Sequence, residues 1–217
     1  MLTLTLSRPQ ISQGCVDEYE QFAELVESLS DAEWDMPTRC EGFLVRDVAG
    51  HVIGLAEDTA AGVPGSRNAE LEAASVRGDA PRQAAARLRT ALGPITALLD
   101  AVDDNAWAGP VAGLDLTLGE GVLTLWYDAF VHADDIRAAI GRPSEFGPGL
   151  EASVAYLASE LTKKDYEPAT LALAGVDRYD VSGGGAAITG DPLQFVLVAT
   201  GRADAATMGL PPEVNSY

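Results

Sequence analysis

His51, Asp128 and His132 are the residues of this 217-residue chain whose types and spacing could act together chemically. Asp128 and His132 stand four apart, so on a helix their side chains share one face, one turn from each other. His51 falls on the apolar side of another helical pattern, with Leu44, Val48 and Leu55. Where two such helices are neighbours, two imidazoles and a carboxylate converge, a donor set suited to Zn2+ or another divalent transition metal. Three protein ligands leave one coordination position open, as in catalytic or ligand-capturing sites rather than structural ones. Asp47, one turn before His51, and Asp135, one turn after His132, are candidates to orient the two rings as hydrogen-bond acceptors. The plainer alternative makes each histidine a hydrogen-bonded core residue and Asp128 a solvated acid, and D-x-x-x-H alone is a weak motif.

The elements that must position these residues are four helical patterns in the first two thirds of the chain. One runs from about 11 to 29 with the apolar stripe Tyr19, Phe22, Val26 and Leu29. Ser30 and Glu33 then match a capping box for a short turn. The second helix starts near Leu44 and fades into a polar stretch around Pro64, Gly65 and Ser66. The third follows Asp79 and Pro81 and carries Ala85, Leu88, Leu92, Ile95, Leu99 and Val102, with a kink expected at Pro94. The fourth spans about 120–140, with Leu125, Ala129, Phe130 and Ile136, and stops at Gly141 before Pro143. Four amphipathic helices predict a four-helix bundle.

Residues 142–149, RPSEFGPG, read as a linker, which sets the expected domains at 1–143 and 149–217. Beyond it a helix near 150–163 leads to strand-like runs at 170–174, 179–181 and 186–189, and a helix at 193–200. The predicted fold class is therefore α+β, a helix bundle followed by a small α+β domain. Gly183, Gly184 and Gly185 lack the G-K-[ST] ending of a phosphate loop and read as a hairpin turn. The chain shows neither a G-x-S-x-G nucleophile elbow nor a dinucleotide fingerprint.

Composition narrows the partners. Acidic residues number 33 against 14 basic, a formal net charge of −19. Such a surface repels phosphate backbones and anionic lipid heads, so neither nucleic acid nor a membrane is an expected partner. No apolar run approaches the ~20 residues of a membrane span. The N-terminal MLTLTLSRPQ lacks the features of a secretory signal. Two cysteines, Cys15 and Cys40, make no disulfide scaffold, and a reducing, cytoplasmic location is the default. The expected assembly is a monomer or homodimer.

Residues 34–55, WDMPTRCEGFLVRDVAGHVIGL, resemble the signature of the mycothiol-dependent maleylpyruvate isomerase-like family, part of the DinB/YfiT-like metal-binding bundle superfamily. The matching positions are Trp34, Pro37, Thr38, Cys40, Gly42, Phe43, Arg46, Asp47 and His51. A second signature is Asp128, His132, Asp135 and the run AAIGRP. The tail ITGDPLQFVLVATGR resembles the family's small C-terminal domain, so the likeness covers nearly the whole chain. Two positions depart from the pattern. The acid ligand is usually Glu, one methylene longer than Asp128, and Phe43 stands where Trp is commoner.

The resemblance implies a DinB-like bundle with a divalent metal, zinc first, on His51, Asp128 and His132, and mycothiol as thiol cosubstrate. A thiol at an open metal position loses its proton and can attack a small electrophile. Addition, rotation and elimination isomerise a maleylpyruvate-like acid; stopping after addition makes a thiol S-transferase. Arg202 is the candidate carboxylate clamp, because its fork pairs bidentately; the alternative is a surface arginine at a helix end. Cys40 precedes the second helix, where a helix N-terminus can lower a thiol pKa, but the resemblance assigns it no catalytic part and a structural role is preferred. Cys15 carries no functional reading. A non-catalytic small-ligand or metal-binding protein, and a metal-assisted hydrolase, are the competing functions.

Overall fold

The computed structural model describes residues 5–216, so the first four residues of the N-terminal decapeptide read above lie outside them. The four predicted long helices are present as α1 (Arg8–Glu27), α3 (Val45–Ala60), α5 (Pro81–Ala101) and α7 (Leu118–Ala139). Three short helices lie between them: α2 (Asp31–Trp34), α4 (Ala69–Ala74) and α6 (Asp104–Trp107). Then come α8 (Pro148–Lys163), β1 (Ala169–Leu173), β2 (Tyr179–Val181), β3 (Ala186–Gly190), α9 (Pro192–Ala199) and two 3-10 turns, Ala205–Met208 and Pro212–Val214. The fold is α+β: a four-helix bundle followed by a small helix-and-sheet part.

Local chemistry sets the ends of the helices that matter most. At the start of α7 the Thr117 hydroxyl accepts from the Glu120 amide, and the Glu120 carboxylate accepts from the Thr117 amide at 2.7 Å. This reciprocal box satisfies two amides that a helix N-terminus otherwise leaves unpaired. Gly141 ends the helix with φ 68°, a left-handed conformation that glycine adopts without strain. Ser30 and Glu33 form the expected box on α2. At α3 the Asp47 carboxylate caps the first turn by accepting from the Leu44 amide at 3.1 Å. Pro94 lies within the continuous α5.

The chain divides into two compact units. One is Ser12–Glu145; the other runs from Phe146 to residue 216, together with the described residues up to Ile11. In the first, α3 is the central element and packs on α4, α5 and α7. Tyr19, Phe22, Val26 and Leu29 are buried as their spacing predicts, as are Leu88, Leu92, Ile95 and Leu99 on α5. Burial of such apolar side chains contributes about 1.5–3 kcal/mol each.

In the second unit β1 is the middle strand, antiparallel to β2 and parallel to β3. Leu171, Leu173, Tyr179 and Val181 are buried, and α8 packs against α9 and β2. This order corrects the expectation of a hairpin turn at 183–185. β2 and β3 are not paired; the glycines carry the chain past the end of β1 instead. Gly183 and Gly184 have φ of 89° and 86°, and a Cβ on Gly185 would lie 2.1 Å from the Pro168 carbonyl oxygen. Glycine is needed there for a tight crossover rather than for a two-strand turn.

Candidate metal centre

α3 and α7 are packed neighbours, and they bring His51, Asp128 and His132 together. One donor atom from each lies within 4.8 Å of the others. His51 Nε2 is 3.5 Å from Asp128 Oδ1, and His132 Nε2 is 3.5 Å from the same oxygen. The rings meet edge to face, centroids 5.0 Å apart. All three side chains are mostly buried, at 16–18% exposure.

Each ring is held from behind. Glu72 Oε2 lies 2.7 Å from His51 Nδ1, and Asp135 Oδ2 lies 2.8 Å from His132 Nδ1. An ionised carboxylate only accepts, so each Nδ1 carries the proton and the Nε2 atoms are turned to Asp128. This is the carboxylate–histidine support that metal-binding imidazoles commonly have. Ligand atoms bound at ~2.0–2.1 Å to a tetrahedral ion stand about 3.4 Å apart. The 3.5 Å separations match that edge, and exceed the ~2.7–3.2 Å of good hydrogen bonds. The donor set thus fits a small divalent cation. With no cation, burial opposes charge on His51, but Asp128 and Glu72 outweigh it and raise its pKa to about 10.

Asp135 is fully buried and ties the rest of the signature to the centre. Its Oδ1 accepts from Arg39 Nε at 2.5 Å, and Oδ2 accepts from the Cys40 thiol at 3.1 Å as well as from His132. Arg39 also reaches Asp134 at 2.5 Å. The P-T-R-C run therefore positions His132 at one remove. Cys40, His132 and Asp135 form a second group of ligand-type atoms. Arg39 already neutralises that carboxylate, so this group is a poorer cation site.

Two expectations need correction or addition. Asp47 does not hold the His51 ring; besides capping α3 it pairs with Arg77 Nε at 2.9 Å. The acceptor is Glu72 on the six-residue α4; the sequence reading assigned no element between the polar stretch around Pro64, Gly65 and Ser66 and the helix after Asp79, and so missed it. The available signal was Asn68, whose side chain caps α4 by accepting from the Leu71 amide at 3.0 Å. Arg202 follows α9 in the other compact unit, half-buried, with Nη1 3.4 Å from the Thr200 carbonyl oxygen.

Glycines let Glu72 come close. A Cβ on Gly54 would lie 2.6 Å from Glu72 Cβ, and one on Gly50 would lie 2.7 Å from the Ala73 carbonyl oxygen. Gly50→Ala is expected to push α4 from α3 and destabilise the fold by about 1–3 kcal/mol. Urea unfolding of the variant beside the wild type checks this, and an unchanged midpoint would mean that α4 yields freely.

The fold and this site define a helix bundle with a paired-histidine, carboxylate-backed centre. The family model described as the mycothiol maleylpyruvate isomerase N-terminal domain matches residues 15–137, more than half of the chain. The chain belongs to that family. Two solved structures are similar over 98% of this chain and 98% of their own, each with a TM-score of 0.64. One is the mycothiol-dependent maleylpyruvate isomerase, at 17% identity; the other is a histidine-to-alanine mutant of that enzyme, at 18%. None of the curated proteins compared with the chain matches it.

Proposed function

We propose that the chain is a mycothiol-dependent enzyme that isomerises a small unsaturated acid of the maleylpyruvate type, or adds the thiol to it, at a divalent metal centre. The metal, zinc first, is held by His51, Asp128 and His132. The observation that carries this reading is the Asp128 oxygen standing 3.5 Å from both Nε2 atoms, in a member of this family. The shorter acid at 128 still reaches both rings, which supports it as a ligand in place of glutamate.

When bound, such an ion supplies positive charge that keeps a thiol ionised at neutral pH. Glu72 and Asp135 fix the two rings so that Nε2 stays available. Thiol addition to the conjugated carbon turns a double bond into a single bond. Rotation about that bond and elimination of the same thiol give the other isomer, with no net change in protons or electrons. Arg202 is the proposed clamp for the substrate carboxylate, by the bidentate pairing its guanidinium allows. With only two cysteines in the chain and no disulfide scaffold expected, a reducing, cytoplasmic setting is part of this reading. Among the described residues no helix is long and apolar enough to cross a membrane.

Elemental analysis of purified wild type beside His132→Ala tests the reading. Near-stoichiometric divalent metal in the wild type and its loss in the variant are expected, with mycothiol-dependent turnover of maleylpyruvate in the wild type alone. No metal in the wild type after reconstitution would sink the enzyme reading. Metal without turnover would favour the second reading, a ligand-binding protein of the same fold.

A further inference from the structure

A second set of donors stands on the far side of the His132 ring. Cys40, His132 and Asp135 offer ligand atoms within 4.8 Å of one another. The Cys40 sulfur is 3.1 Å from Asp135 Oδ2, and His132 Nδ1 is 2.8 Å from the same oxygen. The loop that carries Cys40 is tied off before α3. The Phe43 amide donates to the Cys40 carbonyl oxygen at 2.9 Å, and the Cys40 amide donates to the Thr38 hydroxyl at 3.1 Å. The sulfur is therefore held in position, and Cys40 is only half-buried, so an ion can reach it from solvent. Donor type separates this set from the first centre. His51, Asp128 and His132 offer nitrogen and oxygen alone, whereas Cys40 adds sulfur, the soft donor. Arg39 takes up the charge of Asp135, which weakens the set for a hard cation. A soft ion draws more of its binding from the sulfur.

We infer that Cys40, His132 Nδ1 and Asp135 form an inhibitory site for a soft, thiol-seeking ion such as Cd2+, which takes His132 away from the first centre. The inference rests on His132 serving as a ligand in the metal reading above. A neutral imidazole has one proton and one free lone pair. An ion on Nδ1 sends that proton to Nε2, which then no longer binds an ion shared with His51 and Asp128. The Cys40 proton leaves to solvent, and no atom changes oxidation state. The donor separations must open by roughly 0.5–1 Å to span a tetrahedral ion. Asp135 can turn Oδ2 to the ion while Oδ1 stays on Arg39.

The test titrates Cd2+ into the full-length, zinc-loaded chain, wild type beside Cys40→Ala. Ultraviolet sulfur-to-cadmium charge transfer and metal content after desalting are the readouts. In the wild type the band should grow to near-stoichiometric cadmium while zinc falls in step. Cys40→Ala should show no band, and its zinc should leave only at about tenfold or more higher Cd2+. Cys40→Ser, which keeps a donor to Asp135, should behave like Cys40→Ala. Cys15 is 1% exposed, and burial raises its thiol pKa, so it is no competing source of sulfur. No band in the wild type, or the same band in both variants, would overturn the inference and leave the metal reading intact. So would a band that grows with all zinc retained, since one ring would then serve both ions. A wild type that takes up no zinc would remove the metal reading and this antagonism together.

Discussion

Asp135→Ala is expected to destabilise the protein by about 3 kcal/mol and to weaken metal binding about 10- to 100-fold. Asp135 is fully buried and accepts from Arg39, Cys40 and His132 at once. Removing it leaves His132 Nδ1 and the Cys40 thiol without that acceptor. Arg39 is less stranded, since it keeps Asp134 and is about a quarter exposed, which holds the cost below that of breaking a fully buried ion pair. The two effects separate in a second variant. Cys40→Ala removes only a weak thiol donor, so it should leave metal affinity within a few-fold of wild type. Urea unfolding and competition with a chelator measure stability and affinity independently. If Asp135→Ala binds metal as tightly as the wild type, the His132 ring does not need this carboxylate.

What could be read in advance follows from how local the information was. α7 was legible because a helical stripe and a glycine stop fall within one segment, although its Thr117–Glu120 capping box was not read from the sequence. Its Asp128 and His132 share a face by helix geometry alone, so their proximity needed no knowledge of packing. His51 needed one further condition, that α3 and α7 be neighbours, which spacing cannot supply but the four-helix pattern and the family resemblance made an expectation. The P-T-R-C run was visible as a signature, yet its work was not: Arg39 and Cys40 act across 95–96 residues of chain on Asp135. Glu72 escaped for a similar reason. It sits on six residues of helix, too short for a periodic stripe, and its closeness to His51 depends on two glycines of another helix. The strand order β2-β1-β3 was likewise invisible, because three short runs with a glycine cluster admit either a hairpin or a crossover. Tyr19 was readable as core from its spacing, and it is core; only the structure shows that its hydroxyl is unpaired.

Glu18→Gln is expected to make the protein more stable at pH 8, by an amount that vanishes in acid. Glu18 is 7% exposed on α1, and Trp126 Nε1 donates to it at 3.3 Å. Burial raises its carboxyl pKa from 4.5 to about 7; Trp126 and the charge of Arg137 pull the other way, and Glu145 adds to the rise. Between pH 4.5 and 7 the folded chain keeps a proton that the unfolded chain has released. Stability from this group is therefore complete below pH 4.5 and is lost as pH rises through 7. The shift corresponds to a loss on the order of 3 kcal/mol above pH 7. Glutamine retains an acceptor for Trp126 and cannot ionise, so its stability should not carry that slope. Unfolding free energies of the two proteins, measured from pH 4.5 to 8, should begin close together and separate with the variant above. A difference that does not change with pH would show that Glu18 does not titrate in this window. Metal content should be the same in both, because neither Trp126 nor Arg137 belongs to the ligand set.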